Sequence, residues 1–210
     1  MLSVLHADAA VLVLDKPAGM LSVPGRGEDK QDCLSARVQL AYPDARIVHR
    51  LDMATSGLML MARGARAQAQ LSQAFAARRV HKRYQALVHG QPDAQPGPWR
   101  EIDLPIAVDW PNRPRRIICA QTGKPSLTRW RVIGPAGDDW TRLELEPVTG
   151  RSHQLRVHLL AIGHPIVGDA LYTLAGSPRT ASRLMLHATQ IGFEHPDSGE
   201  ALRFSSGPDF

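Results

Sequence analysis

His49-Arg50-Leu51-Asp52-Met53-Ala54-Thr55-Ser56-Gly57 places one carboxylate inside a long basic run. Between Arg46 and Gly90 the cations are Arg46, Arg50, Arg63, Arg66, Arg78, Arg79, Lys82 and Arg83, and the only acid is Asp52. Two readings of Asp52 follow. It is a turn residue, with Thr55, Ser56 and Gly57 closing an Asx-type loop. Or it is a reactive carboxylate, already ionised at neutral pH because its ordinary pKa is about 3.9, and held so by a neighbouring Arg.

Outward from this stretch the chain reads as alternating short elements. Ile47 and Val48 lead extended chain into the loop, and Leu58 to Ala62 leaves it as a buried strand. Gly64 to Arg79 is Ala- and Gln-rich with Leu71 and Phe75 at i,i+4, which predicts a helix with a basic end. Upstream, Val11-Leu12-Val13-Leu14 predicts a strand stopped by Asp15-Lys16-Pro17-Ala18-Gly19. Asp32 is expected to cap a helix through about Tyr42, with Leu34, Val38 and Ala41 on one face and Pro43 at its end.

Downstream, Arg83 to Val88 alternates like a strand, with Tyr84 in it. Tyr84 is either amphipathic core or, beside His81, Lys82 and Arg83, a stacking platform or proton acceptor. Gln91 to Pro98, rich in Pro and Gly, is the expected lobe boundary. Ile117–Ala120, Leu127–Ile133 and Thr141–Glu146 predict antiparallel strands. Ser152 to Ile162 predicts a helix burying Leu155, Leu159 and Ile162, ended by Gly163 and Pro165. Leu184 to Phe193 and Ala201 to Phe204 are the last predicted strands. Strands and helices do not alternate regularly, so the expected class is α+β with a mixed, mainly antiparallel sheet.

A chain of 210 residues, 43% hydrophobic and 21% charged, suits an ordinary globular protein. Residues 1–210 suit one domain or two closely joined lobes. The opening residues carry no basic segment followed by a long apolar run, and no stretch reaches the roughly 18 apolar residues of a membrane span. A cytoplasmic location without membrane association is therefore expected. Cys33 and Cys119 are far apart and are expected to be reduced core thiols.

The net charge is +5, and of 25 basic residues only four are Lys. Arg offers a planar fork suited to phosphates and bases, although a GC-rich genome would also favour it. A second acid-free stretch runs from Trp110 to Arg131, while acids gather at 138–146 and 194–209. This asymmetry suits either a basic face for nucleic acid or a solvated surface.

Metal ligation is not expected. His153 and His158 are five residues apart, no HExxH occurs, and the Cys residues lack ligand spacing. Motifs for nucleotide hydrolysis, dinucleotide binding and acyl-enzyme chemistry are also missing. In Thr149-Gly150-Arg151-Ser152-His153-Gln154-Leu155-Arg156, Arg156 is a candidate partner for Asp52. The alternative is a helix flank solvated by Arg and His.

His49-Arg50-Leu51-Asp52-x-x-Thr55-Ser56-Gly57 resembles the catalytic signature of the RluA-type pseudouridine synthases. Asp15-Lys16-Pro17-Ala18-Gly19 resembles that family's Lys-Pro motif, with Asp15 where Asn is common. Lys82-Arg83-Tyr84 resembles its Lys-x-Tyr motif, and Thr149 to Arg156 its third motif, followed by Gly163-His164-Pro165-Ile166-x-Gly168-Asp169. The likeness runs from about Val11 to Phe210. Asp109-Trp110-Pro111-Asn112-Arg113-Pro114 and Thr122-Gly123-Lys124-Pro125 resemble the small dual-specificity members, which lack an S4-like domain and modify a hairpin of large-subunit ribosomal RNA and the anticodon stem-loop of certain tRNAs.

The resemblance implies the pseudouridine synthase fold: a central, mainly antiparallel sheet flanked by helices, with the active-site cleft across its middle. It implies that Asp52 initiates, Arg156 pairs with Asp52, and Tyr84 stacks on uracil and can take the C5 proton. Arg50 would enter the space left by a flipped nucleotide, Arg113 and Arg151 would hold phosphates, and His49 and Lys82 would join them on the RNA. No cofactor or metal is implied, RNA is the expected partner, and the chain is expected to act as a monomer. The competing expectation is a catalytically inactive RNA-binding or RNA-folding protein.

Overall fold

The computed structural model describes residues 2–93, 95–174 and 181–210. In chain order the elements are β1 (Ser3–Ala7), β2 (Val11–Lys16), α1 (Leu34–Ala41), β3 (Ala45–Ile47), β4 (Ser56–Arg63), α2 (Gly64–Ala76), β5 (His81–His89), β6 (Arg100–Asp103), β7 (Ile106–Val108), β8 (Arg116–Ile118), β9 (Leu127–Pro135), β10 (Trp140–Pro147), α3 (Gln154–Ala161), β11 (Leu186–Glu194) and β12 (Ala201–Ser205). The class is α+β.

Two compact units divide the chain: Met1–Lys82 with His187–Asp209, and Arg83–Leu186 with Phe210. The expected boundary at Gln91–Pro98 is therefore corrected. That segment is a connection inside the second unit, where Gly97 N–H donates to the Val132 carbonyl and Arg100 to that of Asp93. Its Pro and Gly content marks a turn between strands rather than a seam.

In the first unit the strands run β1-β2-β4-β11, with β12 on β11 and β3 on β4. All these pairs are antiparallel except β4–β11. Val11–Leu14 and Leu58–Ala62 are buried throughout, because both faces of β2 and β4 are covered. Gly57 is where the parallel neighbour arrives, opposite Ala188. Its φ is +106°, and a Cβ there would stand 2.4 Å from the Ala188 carbonyl oxygen. Only glycine fits so close an approach.

Two helix ends differ from expectation. Cys33, not Asp32, caps α1, its Sγ accepting from Ala36 N–H, while Asp32 pairs with Arg37 at the surface. Ala41 is exposed, because the short helix buries only Leu34, Ser35 and Val38. α2 stops at Ala76, short of the expected Arg79, and Arg78 lies in the left-handed region at φ 59°.

In the second unit the order is β5-β10-β9-β6, all antiparallel, with β7 and β8 as a separate hairpin. β10 alternates: Thr141, Leu143, Leu145 and Pro147 are buried, while Arg142, Glu144 and Glu146 face outward. Glu144 lies opposite Arg131 and Glu146 opposite Arg129. Arg131 reaches Glu144 at 2.6 Å, Arg83 reaches Glu146 at 2.8 Å, and Arg129 reaches Glu101 at 2.9 Å. The basic stretch around Arg131 is thus matched by acids from adjoining strands. α3 is buried nearly all round from Gln154 to Leu159, which excludes a solvated flank, whereas Ile162 beyond its end is only half-buried. Cys119 is not a core thiol. It lies in the turn after β8, near Gln121 and Thr122, while Cys33 is buried.

Candidate active site

Within the first unit, the loop bearing Asp52 is fixed through its backbone. Lys16 is fully buried, and its Nζ donates to the carbonyls of Pro17, Met20 and Met53 at 2.9, 2.8 and 3.1 Å. Met53 follows Asp52 directly. Gly19 N–H donates to the same Met53 carbonyl at 2.8 Å. On the other side of Asp52, Leu51 is clamped by Ser22, whose hydroxyl donates to the Leu51 carbonyl and accepts its N–H. Thr55 N–H then closes the turn on the Asp52 carbonyl at 3.1 Å. The turn and the reactive carboxylate are therefore compatible readings, since the turn uses the backbone of Asp52.

Lys16 is also the buried cation of this region. Burial pushes its ammonium down to about 8, and the Asp52 charge opposes that shift. His49 is half-buried, stacks on Phe75 at 4.6 Å, and accepts Leu60 N–H on Nε2. A ring nitrogen that accepts cannot carry a proton, so the imidazole is neutral with hydrogen on Nδ1. Its pKa is pushed down to about 3, chiefly by burial and secondarily by the Lys82 ammonium. Lys82 is itself lowered by burial. Arg50 is exposed.

A polar relay lies behind Gly57. Ser56 Oγ and His187 Nδ1 are 2.9 Å apart, His187 Nε2 and Ser206 Oγ 3.2 Å, and the Ser206 hydroxyl donates to Asp15. Asp15, the departure from the usual Asn, thus accepts a hydrogen bond in the strand that also carries Lys16.

Within the second unit, Tyr84 is half-buried on β5 opposite Leu145. Its neighbour Arg83 points to the other face, over Trp99 at 4.3 Å. Arg156 is buried in α3, and its Nε and Nη2 each donate to a carboxylate oxygen of Asp169 at 2.7 Å. Asp169 also accepts N–H from Leu171 and Tyr172. The Tyr172 ring lies 4.9 Å from the Arg156 guanidinium, and its hydroxyl meets His153 Nδ1 at 2.7 Å. His153 caps α3 from the left-handed region at φ 58°.

The rest of the Thr149–Arg156 segment is a tether. Gln154 accepts from Thr149 Oγ1 and Arg151 N–H, and donates to the Leu127 carbonyl and Thr128 Oγ1. Arg151 is exposed and donates to the Pro125 carbonyl. Arg113 is exposed in the β7–β8 hairpin. Sequence reasoning did not single out Asp169, Tyr172 or the Lys16 contacts. Asp169 and Lys16 lay inside quoted motifs, whereas nothing in the sequence pattern marked Tyr172.

A family model described as RNA pseudouridylate synthase matches residues 10–161. The dual-specificity RNA pseudouridine synthase RluA of Escherichia coli is 45% identical over 209 residues, covering 100% of this chain and 94% of that protein. The protein of the same name from Yersinia pestis is 45% identical, with 99% of each covered. Human RNA pseudouridylate synthase domain containing 1 superposes with a TM-score of 0.82 at 30% identity, covering 100% of this chain and 84% of its own. The chain belongs to the RNA pseudouridylate synthase family, among its RluA-type members.

Proposed function

We propose that this pseudouridine synthase isomerises uridines in a tRNA anticodon stem-loop and in a hairpin of large-subunit ribosomal RNA. The observation that carries the reading is the near full-length likeness to relatives named dual-specificity RNA pseudouridine synthases. It acts in the cytoplasm, as a monomer and as one catalytic domain.

The target base leaves the stack, at a cost of a few kcal/mol. Asp52 starts the reaction at the sugar, by attack or by removal of a sugar proton. The N1–C1′ bond breaks, the uracil turns, and a C5–C1′ bond forms. C5 then loses a proton and N1 gains one, so atoms balance and no electrons are transferred. The isomerisation therefore calls for no cofactor. Tyr84 stacks on the base and its hydroxyl takes the C5 proton. Arg156 is the counter-ion assigned to Asp52, and Arg50 fills the space of the flipped nucleotide. Arg113, Arg151, Lys82 and His49 serve RNA binding, His49 as a neutral ring.

The test uses tRNA and large-subunit ribosomal RNA transcripts tritiated at uracil C5. Wild type is expected to release tritium without added cofactor. Asp52→Asn is expected to bind RNA, fold normally and lose at least about 10³-fold in turnover. Retained release by Asp52→Asn overturns the role of Asp52. Binding without release by wild type, on transcripts that a relative modifies, points to the inactive RNA-binding reading. Mapping the product names the uridine.

A further inference from the structure

The β7–β8 hairpin carries an aromatic group that the fold does not use. Trp110, at its tip, is 66% exposed, and Ile117 in β8 is 43% exposed. The Arg113 guanidinium lies 4.5 Å from the Trp110 ring centre, and its Nε donates to the Trp110 carbonyl at 3.3 Å. Arg115 beside it is exposed. The tip's one carboxylate, Asp109, already accepts from the side-chain amide of Asn112 at 3.0 and 3.1 Å. The hairpin base is firm. Arg116 N–H donates to the Tyr172 hydroxyl at 2.8 Å, and Ile106 packs with Val157 and Tyr172 in the core.

An indole two-thirds exposed contributes little to folding, and a stacked Arg holds it in a fixed attitude. Exposed cations around an aromatic face, with the local carboxylate occupied, fit a polyanion that also has π faces. Single-stranded RNA has both properties, whereas paired RNA hides its base faces in the stack. We propose that Trp110 and Arg113 form a platform on which an unpaired nucleobase of the RNA substrate stacks, with Arg115 on an adjacent phosphate, so that the hairpin favours looped over fully paired RNA. The inference rests on the proposed activity on RNA hairpins.

The experiment compares wild type, Trp110→Ala and Trp110→Phe on an RNA hairpin with an unpaired loop and on a blunt duplex of the same stem. Trp110→Ala is expected to bind the hairpin about 10-fold more weakly and the duplex unchanged, while Trp110→Phe retains most hairpin affinity. Hairpin binding is expected to quench tryptophan emission in wild type, and Trp110→Phe to remove that change. Equal hairpin affinity for Trp110→Ala and wild type overturns the platform, as does an equal loss on hairpin and duplex. Stronger quenching by anionic lipid vesicles than by the hairpin overturns it in favour of a membrane surface. If wild type binds neither RNA and releases no tritium, the activity itself fails. If it releases tritium while Trp110→Ala binds normally, only the platform fails.

Discussion

The Asp52 segment is anchored through its backbone, and the Arg156 segment carries a two-pronged side-chain ion pair. At Asp52 the ties go to the backbone on either side: Lys16 and Gly19 on Met53, Ser22 on Leu51, Thr55 on Asp52 itself. At Arg156 the tie is to the side chain, through a two-pronged pair with buried Asp169. Fixing the backbone on both sides sets the point from which the Asp52 side chain leaves the loop. Fixing a guanidinium by its fork sets its plane, while burial makes the pair's integrity expensive to lose. The first segment fixes the backbone from which its side chain leaves, and the second fixes the plane of a buried guanidinium.

This contrast is open to attack by mutation. The largest effect is expected at Asp169. Asp169→Asn breaks the buried two-pronged pair with Arg156 and should cost about 3–5 kcal/mol in urea unfolding, much of it recovered in Arg156→Met/Asp169→Leu. A loss below about 1 kcal/mol would show that the second segment is not charge-anchored. Next comes Gly57→Ala, which drives a Cβ into the Ala188 backbone at a positive φ. It should cost about 2–4 kcal/mol in thermal unfolding, and wild-type stability would dismiss the close approach.

Lys16 tests the backbone anchoring through pH. Its folded pKa, about 8, lies below the ordinary 10.5. Between those values the unfolded chain keeps a proton that the folded chain has released, so stability rises with pH across the window. Below about pH 8 the buried charge costs about 3 kcal/mol. Wild type should gain on Lys16→Met as pH rises from about 8 to about 10, and parallel curves would contradict a desolvated ammonium. His49 sharpens the same point on the acid side. Its folded pKa of about 3 lies below 6.5. The unfolded chain therefore gains a proton first as pH falls, and stability drops below about pH 6.5, by about 2 kcal/mol at pH 5. His49→Phe should lose that slope.

Much of the first unit was legible because apolar runs such as Leu58–Ala62 leave few choices. β1, β3, β6 and β7 were not, being short strands without a clear period. The Asp32 capping expectation failed because Cys33, one residue on, supplied the acceptor. Charge was legible only in part. Arg83, Arg129 and Arg131 lie in stretches that suit either a basic face or a solvated surface, and in the fold they pair with Glu144 and Glu146. Acidic and basic stretches separate in sequence when they lie on neighbouring strands. Motif order identified the candidate residues, yet the pairing of Arg156 with Asp169 depends on how the chain after α3 returns to it, which periodicity does not encode.

The parallel docking of Ala188 beside Gly57 carries a cost during synthesis. A ribosome delivers β4 long before β11, and the more than one hundred residues between them must emerge first. At about 5–20 residues per second, the Ser56–Gly57 edge stays unpaired for several seconds or longer. β2 and β3 are made early enough to cover the other edge and the far end. The nascent chain therefore exposes an open strand edge directly after Asp52 until its last strands arrive, and it is there that a chaperone or a mispairing strand would compete.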